Sequence, residues 1–576
     1  MSFVRMLPAA WLASFYAALL VVLLVFFLNP GLPFRAATLG GLLPLALLLS
    51  LPGTVGWPAA YRFLRIFARR RLRVRWLSFK VLVGFAGANL VMVSCLYWYN
   101  LNLLEALIPE ALAMRLRVAS ALLSLFAIAL LAVSWFRSWR RLPQIRRACY
   151  GVALTLLPGL GLMRGGHPIE APSPYTPELV SPSPDSPRLL LLGMDGATLD
   201  QVLPLVAQGK LPWMGRLLKQ GSHGRLTPFR PCVSGVAWES LLTGKLPAKH
   251  RVLDASRYGL PLGAGEIRVA PRGLFFDRFA KQAGMSAAFQ GPEISRALTL
   301  IQILDRLGHR SVLVRGGAGP AGRPVPRAEI RLERFLDPEV STPPGTRQLR
   351  EVLRRALEED EAAGAAALAA WRDPKYRAVA VQLPGLDRVS HGFLRYAMPA
   401  SFGDVPREEV EKYGLVLERY YRYLDDWIGR FLEPAPSARD GDGGRGPTLV
   451  LIVSPHGIEP LPLGRRLLMA LEGDRFESGY HGRAPDGIIL AVGPGVAHGK
   501  PLGKASILDV APTLLYNFSL PIGMDMDGHP LTRLFQDAFL AEKPVRLIPS
   551  YEGSRLSGLS DPSTGLPLTG GAAVVR

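Results

Sequence analysis

Cysteine is scarce in this sequence. Its 576 residues include only Cys95, Cys149 and Cys232, and only the last lies beyond residue 164. A single cysteine cannot form a disulfide bond within the larger part of the chain, so a disulfide framework is excluded there. Acidic residues are nearly missing from residues 1–164, which carry 18 Lys+Arg against 2 Asp+Glu, whereas the remainder carries 49 against 44. Of the net charge of +21, +16 therefore belongs to the first 164 residues. Because the excess is confined to this region, it does not indicate an anionic partner for the whole protein.

Several nucleotide-binding motifs are also missing. The sequence contains neither a Walker-type phosphate loop nor a dinucleotide fingerprint, so it offers no support for these two kinds of nucleotide site. Its 49% hydrophobic and 20% charged residues argue against disorder, and no solenoid, heptad or collagen repeat is visible. The length exceeds the roughly 100–200 residues of one typical domain, which predicts more than one region.

Long apolar runs fill the first 164 residues. A helix of about 20 such residues crosses a hydrocarbon core of about 30 Å. The last run is the shortest and contains Pro158. We predict an all-α transmembrane region of about five helices over residues 1–164, with spans at about 9–28, 36–55, 81–101, 118–136 and 148–163.

Basic residues indicate how these helices are oriented. Residues 62–80 contain eight Lys and Arg and residues 137–147 contain five, whereas residues 105–117 carry no net charge. Because Lys- and Arg-rich loops stay cytoplasmic, the N-terminus is predicted to be cytoplasmic. Five crossings then put the rest of the chain on the periplasmic side of a bacterial inner membrane; four would leave it in the cytoplasm. Arginines between apolar runs favour membrane lipids as partners, and we predict no nucleic-acid partner.

The composition and the hydrophobic pattern of the sequence change after the last apolar run. Residues 165–187 are rich in Pro and Ser and predict an extended linker. Beyond them, short apolar runs alternate with helical segments, which indicates buried strands and an α/β fold. We predict an α/β domain over residues 188–545, with helices on both faces of a central sheet, and a flexible tail over residues 546–576.

Potential metal ligands stand beside these predicted strands. Asp195, Asp387 and His456 follow three of them, and His481 precedes a fourth by six residues. Asp387 and His391 are four residues apart, so that one helical face could present both to one ion. In open α/β sheets function collects at the carboxyl ends of strands. One such pair would be weak evidence, but the set together predicts a metal site.

A series of motifs carries a resemblance to a known family. They are GMDG at 193–196, PCVSGVAWESLLTGKLPAKH at 231–250, GLDRVSHG at 385–392, YYRYLDDWIGRFLE at 420–433, H-x-x-x-P-D-G-I at 481–488 and ILDVAPTLLYNFSLPIGMDMDG at 507–528. In this order they resemble the alkaline phosphatase superfamily, and within it the type I phosphodiesterase/nucleotide pyrophosphatase-like group. The membrane region lies outside the resemblance, although its plan is similar to that of the phosphoethanolamine and glycerol-phosphate transferases of the superfamily.

The resemblance implies a two-metal site with a serine nucleophile. It implies that Ser234 attacks phosphorus and that two divalent ions, usually zinc with Mn or Mg as alternatives, neutralise the phosphoryl oxygens. One ion would be held by Asp387, His391 and His481, and the other by Asp195, Ser234 and His456. Trp238, Lys249 and His250 are the candidate substrate contacts.

The sequence departs from the family pattern at Pro455. The family places an Asp directly before the His that matches His456, and proline cannot bind a metal. Glu459, a water molecule or operation with a single ion could compensate. Cys232 does not stand in a sulfatase Cys-x-Pro-x-Arg signature, and we interpret it as a small buried apolar residue.

The predicted function is therefore a membrane-anchored, metal-dependent phosphohydrolase, phosphodiesterase or phosphotransferase. Its predicted substrates are phosphoesters of lipid headgroups or of the cell envelope. The alternative hypothesis is a pseudoenzyme with the same fold that binds an envelope lipid, glycan or partner, and Pro455 motivates it.

Overall fold

The structure of the protein is a computed structural model. The residues that it describes are 2–68, 79–136, 142–162, 186–253, 257–263, 265–273, 276–288, 295, 297–315, 332–336, 346–433, 447–472, 476–483 and 485–552.

Helices and strands are numbered separately along the chain. The helices are α1 Ser2–Leu28, α2 Ala36–Ala68, α3 Phe79–Leu104, α4 Glu110–Trp135, α5 Pro143–Leu162, α6 Leu199–Ala207, α7 Pro212–Gln220, α8 Ser234–Thr243, α9 Pro247–His250, α10 Phe276–Gln282, α11 Leu300–Arg306, α12 Thr346–Arg372, α13 Gly385–Ala397, α14 Arg407–Tyr413, α15 Val416–Leu432, α16 Leu463–Glu472, α17 Val510–Asn517 and α18 Asp537–Glu542. The strands are β1 Arg188–Met194, β2 Ser222–Thr227, β3 Arg257–Gly259, β4 Glu266–Ile267, β5 Ser286–Ala288, β6 Ser311–Arg315, β7 Ala378–Leu383, β8 Thr448–Ser454, β9 Glu459–Pro460, β10 Gly479–Tyr480, β11 Gly487–Val492, β12 Pro501–Ser506, β13 Ile522–Gly523 and β14 Leu547–Ile548.

The chain divides into two compact units. The helical unit consists of Met1–Glu170 and Leu253–Ile294, and the α/β unit consists of Ala171–Val252 and Ser295–Arg576. The predicted domain over residues 188–545 includes Leu253–Ile294, so the structure divides the chain differently. The physical reason is packing, because Tyr258, Ile267 and Phe276 of this segment share a core with Val22 and Phe26 of α1.

Four helices are long and apolar enough to cross a membrane, namely Phe3–Leu28, Ala36–Phe63, Val81–Leu104 and Glu110–Trp135. They correspond to four of the predicted spans. The fifth prediction also falls on a helix, α5, but α5 is not among the candidate spans. It includes Arg146 and Arg147, which shortens its apolar stretch below the roughly 17–25 residues of a typical span.

Two asparagines attach the segment Leu253–Ile294 to the ends of the membrane helices. The Oδ1 atom of Asn29, just after α1, accepts hydrogen bonds from the backbone N–H groups of Arg268 and Val269. The Oδ1 atom of Asn100, in the last turns of α3, accepts one from Arg272 N–H at 2.7 Å, and its Nδ2 donates to the Arg272 carbonyl at 3.0 Å. Both side chains are buried, so they satisfy backbone groups that water cannot reach.

A seven-stranded sheet in the order β12-β2-β11-β8-β1-β7-β6 forms the centre of the α/β unit. Neighbouring strands are parallel except at β11, which runs antiparallel to both β8 and β2. The fold is therefore α/β, as predicted.

Side chains alternate between the two faces of this sheet, as the period of two in a strand requires. Leu190 and Leu192 of β1 belong to the core beneath α6, α7, α12, α13 and α15. Leu189 and Leu191 belong to the core beneath α8, α11 and α17. Helices thus cover both faces, as the continuous apolar strands predict.

The ordered domain continues beyond the predicted boundary at residue 545. β14 pairs with β13, Tyr551 is buried, and Glu552 forms an ion pair with the buried Lys245 at 2.6 Å. Burial of an apolar ring and a paired charge explains why the chain is held here. Residues 163–185, which cover nearly all of the predicted linker, and 553–576 of the predicted tail lie outside the described residues.

Candidate active site

The candidate site lies at one edge of the seven-stranded sheet. Because β1, β7 and β8 are parallel, their carboxyl ends meet there and bring Asp195, Asp387 and His456 to the same edge. β11 is antiparallel and therefore starts at that edge, which explains how His481, six residues before it, reaches the site. The ring centroids of His481 and His456 are 4.5 Å apart, and those of His481 and His391 are 5.1 Å apart.

Each of these three histidines has one ring nitrogen engaged. His456 Nδ1 lies 3.0 Å from the Gly457 carbonyl oxygen, and His481 Nδ1 lies 3.0 Å from the Cys232 carbonyl oxygen. A carbonyl only accepts, so both Nδ1 atoms must carry the proton. His391 Nδ1 contacts Glu477 Oε1 at 2.5 Å. In the neutral form of each ring Nε2 then keeps its lone pair, the arrangement found around metal-binding histidines.

Two buried ligand atoms at the site lack a hydrogen-bond partner among the described residues. They are His456 Nε2 and Asp387 Oδ1. An unpaired buried acceptor costs about 1–3 kcal/mol, and a bound cation would supply the missing partner. Asp387, His391 and His481 form one group whose ligand atoms all lie within 4.8 Å of one another. Carboxylate and imidazole are ligands of zinc, so these residues fit a divalent ion.

Asp195 holds the predicted nucleophile. Ser234 Oγ donates to Asp195 Oδ2 at 2.9 Å, and Gln382 Nε2 donates to the same oxygen at 3.0 Å. Trp238 Nε1 donates to Asp195 Oδ1. Ser234 is the first residue of α8, where the leading N–H groups of a helix have no intrahelical acceptor and favour an anion. A phosphoryl group in front of Ser234 would meet this helix terminus.

The surroundings shift the pKa values of several site residues. Burial, and then the charge of His456, lower the pKa of His481 to about 4. Burial also opposes the charged form of His391, but the hydrogen bond to Glu477 and the charge of Asp387 outweigh it and raise its pKa to about 9. Burial raises the pKa of Asp195. Asp387 is buried too, but the neighbouring histidines hold its pKa below the usual value. Strongly perturbed groups gathered in one place are typical of functional sites.

The neighbourhood of Pro455 contains a cysteine that the sequence analysis did not consider as a ligand. Cys232, His456 and His481 form a second group with ligand atoms within 4.8 Å of one another. Asp195 belongs to neither group among the described residues. Glu459, the carboxylate considered as a replacement, also lies outside both groups and has Oε1 3.7 Å from Arg483 Nε.

The three candidate substrate contacts have partners within the protein. Trp238 is 1% exposed and contacts Asp195. His250 is fully buried, with Nε2 2.8 Å from Ser240 Oγ and Nδ1 accepting from Val252 N–H. Lys249 Nζ donates to Asp527 Oδ1 at 2.7 Å. The structure gives His250 a structural role instead of the predicted contact, because both ring nitrogens are engaged away from solvent.

Sequence reasoning missed Glu477 and Gln382. Glu477 lies four residues before His481 and follows no strand, so no pattern singled it out. Gln382 is the last polar residue of β7 and pairs in register with Gly193 of β1. A polar residue inside the apolar run AVAVQL was the available signal, since buried polar side chains need partners.

Residues 189–473 match the family model of type I phosphodiesterase / nucleotide pyrophosphatase. The chain belongs to this family through that segment. The match ends before His481, so the role of His481 stays a prediction. No curated protein matches the sequence. Among solved structures, human ectonucleotide pyrophosphatase / phosphodiesterase 5 is similar at 12% identity and a TM-score of 0.34, over 61% of this chain and 100% of that chain.

Family membership confirms the superfamily predicted from the motifs. It supports a phosphoric ester hydrolase and does not favour the pseudoenzyme hypothesis. The ligand atoms of Asp387, His391 and His481 lie together at the site, which is consistent with a functional site.

Proposed function

We propose that this protein is a membrane-anchored, metal-dependent phosphodiesterase that uses Ser234 as its nucleophile. The observation that carries the proposal is the orientation of three histidines, each with Nδ1 engaged and Nε2 left for a ligand, around the buried Asp387. Histidines that bind a metal are oriented in this way, by a hydrogen bond from the ring nitrogen that does not bind. The family match over residues 189–473 supports the phosphoester substrate class.

In this proposal some residues bind the metal ions and others transfer the proton of the nucleophile. Asp387, His391 and His481 would hold one divalent ion, and His456 would hold the second with Asp195 and Ser234 near it. When bound, the ions neutralise charge on the phosphoryl oxygens and favour the ionised nucleophile. Ser234 Oγ, hydrogen-bonded to Asp195 Oδ2, forms a bond to phosphorus as the ester oxygen leaves. The serine proton passes to Asp195, and water or an acceptor hydroxyl then resolves the phosphoserine.

Zinc is the proposed metal. Three imidazoles and few carboxylates form a nitrogen-rich set, which suits zinc better than the harder Mg²⁺ or Mn²⁺.

The proposed location of the α/β unit is the non-cytoplasmic side of the membrane. The segment Leu253–Ile294, whose two ends continue into the α/β unit, is bonded to Asn29 and Asn100 near the carboxyl ends of α1 and α3. In sequence, the arginine-rich residues 62–80 connect α2 to the amino end of α3, the end opposite to Asn100, and residues 137–147 connect α4 to α5. These loops face the cytoplasm by the positive-inside rule, which leaves the segment outside.

This location requires α5 to cross the membrane despite its short apolar stretch. Tyr16 Oη donates to the Ala153 carbonyl at 2.8 Å. Tyr16 lies near the middle of α1 and Ala153 near the middle of α5. A 20-residue helix is about 30 Å long, so a contact between the two midpoints supports equal depth.

A cavity in the helical unit supports a lipid-linked substrate. It has a volume of about 650 Å³ and lies among α1, α2, α3 and α10. Small and apolar residues such as Ala17, Gly53 and Met92 line it, together with Arg278. Arg278 is exposed and makes no hydrogen bond or ion pair with another described residue. An acyl chain in the cavity would leave its phosphate within reach of that guanidinium.

The test compares the full-length wild type with Ser234→Ala in detergent with Zn²⁺. We expect the wild type to release nitrophenolate from bis-p-nitrophenyl phosphate and Ser234→Ala to lose at least about a thousandfold in kcat/KM. Ser401→Ala, at an exposed serine, is the control and should match the wild type. Full activity of Ser234→Ala would overturn the nucleophile assignment. A wild type inactive on this ester and on anionic phospholipid vesicles would overturn the function.

A further inference from the structure

We infer that Cys232 is a metal ligand and replaces the carboxylate that Pro455 cannot provide. The inference rests on the proposed function and specifies its second metal site. Cys232 is 3% exposed, and its Sγ lies within 4.8 Å of ligand nitrogens of both His456 and His481. Since Nδ1 of each histidine donates to a carbonyl, Nε2 is the nitrogen that each can offer.

Cys232 contacts the site through both its backbone carbonyl and its thiol. The Cys232 carbonyl accepts the proton of His481 Nδ1 and thereby orients that ring. Its thiol lies beside His456, whose Nε2 is buried and has no hydrogen-bond partner among the described residues. A buried nitrogen lone pair with a thiol beside it is a natural place for a cation, because both atoms otherwise stay without a strong partner.

Two ions can bind at the same time only if each ligand atom binds a single ion. His481 belongs to both groups, and its single available nitrogen binds one ion. With His481 on the ion of Asp387 and His391, the second ion keeps Cys232 and His456. Asp195 lies close enough to His456 for the two charges to interact and would be the third ligand, although it stands outside both groups of ligand atoms within 4.8 Å of one another.

The replacement preserves charge and changes selectivity. Binding releases the thiol proton to solvent and forms a metal–sulfur bond, so the thiolate contributes the same single negative charge as a carboxylate. Thiolate is a soft ligand that favours Zn²⁺ and Co²⁺ over Mg²⁺ and Mn²⁺. The second site of this protein is therefore selective for a thiophilic ion.

The test uses the full-length protein loaded with Co²⁺, because a cobalt–thiolate bond has a charge-transfer band in the near ultraviolet. We expect this band in the wild type and in the control Cys149→Ser, whose cysteine belongs to the helical unit. We expect Cys232→Ser to lose the band and to retain one ion per chain where the wild type retains two. Persistence of the band in Cys232→Ser would overturn the inference.

A rescue experiment distinguishes loss of a metal ligand from misfolding of the Cys232 variant. Pro455→Asp in the Cys232→Ala background should restore the second ion without restoring the band. A double variant that still binds one ion would contradict the idea that both positions serve one site.

Failure of the inference and failure of the function give different results. A wild type that binds two ions and cleaves the ester without a thiolate band overturns the role of Cys232 alone. A wild type that binds no ion overturns the proposed function as well.

Discussion

Glu477 acts on the site through a single histidine. Its carboxylate contacts His391 Nδ1 at 2.5 Å, and Nε2 of the same ring lies 3.7 Å from Asp387 Oδ1. The carboxylate fixes which ring nitrogen carries the proton and raises the basicity of the other one. Ligand strength at this site therefore depends on a residue that does not itself belong to either ligand group.

Removing this carboxylate should weaken metal binding. We expect Glu477→Ala to lower Zn²⁺ affinity at the Asp387 site by about 10–100-fold, as removal of an outer-shell partner typically does. Glu477→Gln, which keeps an acceptor, should lose less. Competition with a chromophoric chelator measures the affinity. Glu459→Ala removes a carboxylate outside both ligand groups and is the control; an equal loss in both alanine variants would contradict the assigned role.

At the scale of elements, the start of α13 is held by two other helices. Asp360 of α12 accepts a hydrogen bond from Gly385 N–H at 3.0 Å and one from Tyr420 Oη of α15 at 2.8 Å. A Cβ atom on Gly385 would lie 1.8 Å from Tyr420 Oη, so only glycine fits there. This arrangement sets the position of α13, which presents Asp387 and His391.

Asp360 should make stability depend on pH. Burial raises its pKa to about 8, so between about pH 4 and pH 8 the folded state holds a proton that the unfolded state has released. Stability then falls as pH rises through this window, by up to about 1.4 kcal/mol per pH unit. We expect the melting temperature of the wild type, relative to that of Asp360→Asn, to fall from pH 5 to pH 8 in one detergent.

The control for this prediction is Asp404→Asn, which changes an exposed carboxylate. Relative to that variant, the wild type should show little dependence on pH over the same window. A wild type and an Asp360→Asn variant that respond identically to pH would show that Asp360 stays ionised in the folded protein.

At the scale of the whole molecule, the proposed orientation predicts the side on which each part of the chain lies. A β-lactamase fused after Arg576 should confer resistance and a fluorescent protein fused there should stay dark, because the proposed orientation puts the α/β unit outside. Both fusions made after Arg141, which follows α4, should give the reverse result. Fluorescence from the full-length fusion would place the α/β unit in the cytoplasm and remove α5 from the spans.

Much of the architecture follows from local patterns. The length of the apolar runs predicts about five membrane helices, of which four are candidate spans in the structure. The continuous apolar strands predict a sheet covered on both faces. Both are properties of a few neighbouring residues and need no knowledge of distant ones. The ligand types after β1, β7 and β8 likewise predict that Asp195, Asp387 and His456 lie near one another.

Other features depend on residues far apart in the chain. The reversed direction of β11 brings His481 to the site, and nothing in the strand itself encodes that direction. The segment Leu253–Ile294 leaves the α/β unit because α1 and α2 provide its apolar partners.

The sequence by itself determined the membrane helices, the covered sheet and most of the ligand types, because these follow from hydrophobic periodicity and from chemistry at strand ends. Only the tertiary structure decided that Cys232 stands beside His456 and that Glu477 contacts His391. These pairs are 224 and 86 residues apart in the chain. Spacing along a sequence carries information about contacts within one helix or strand, and such distant contacts arise only when the whole sheet has assembled.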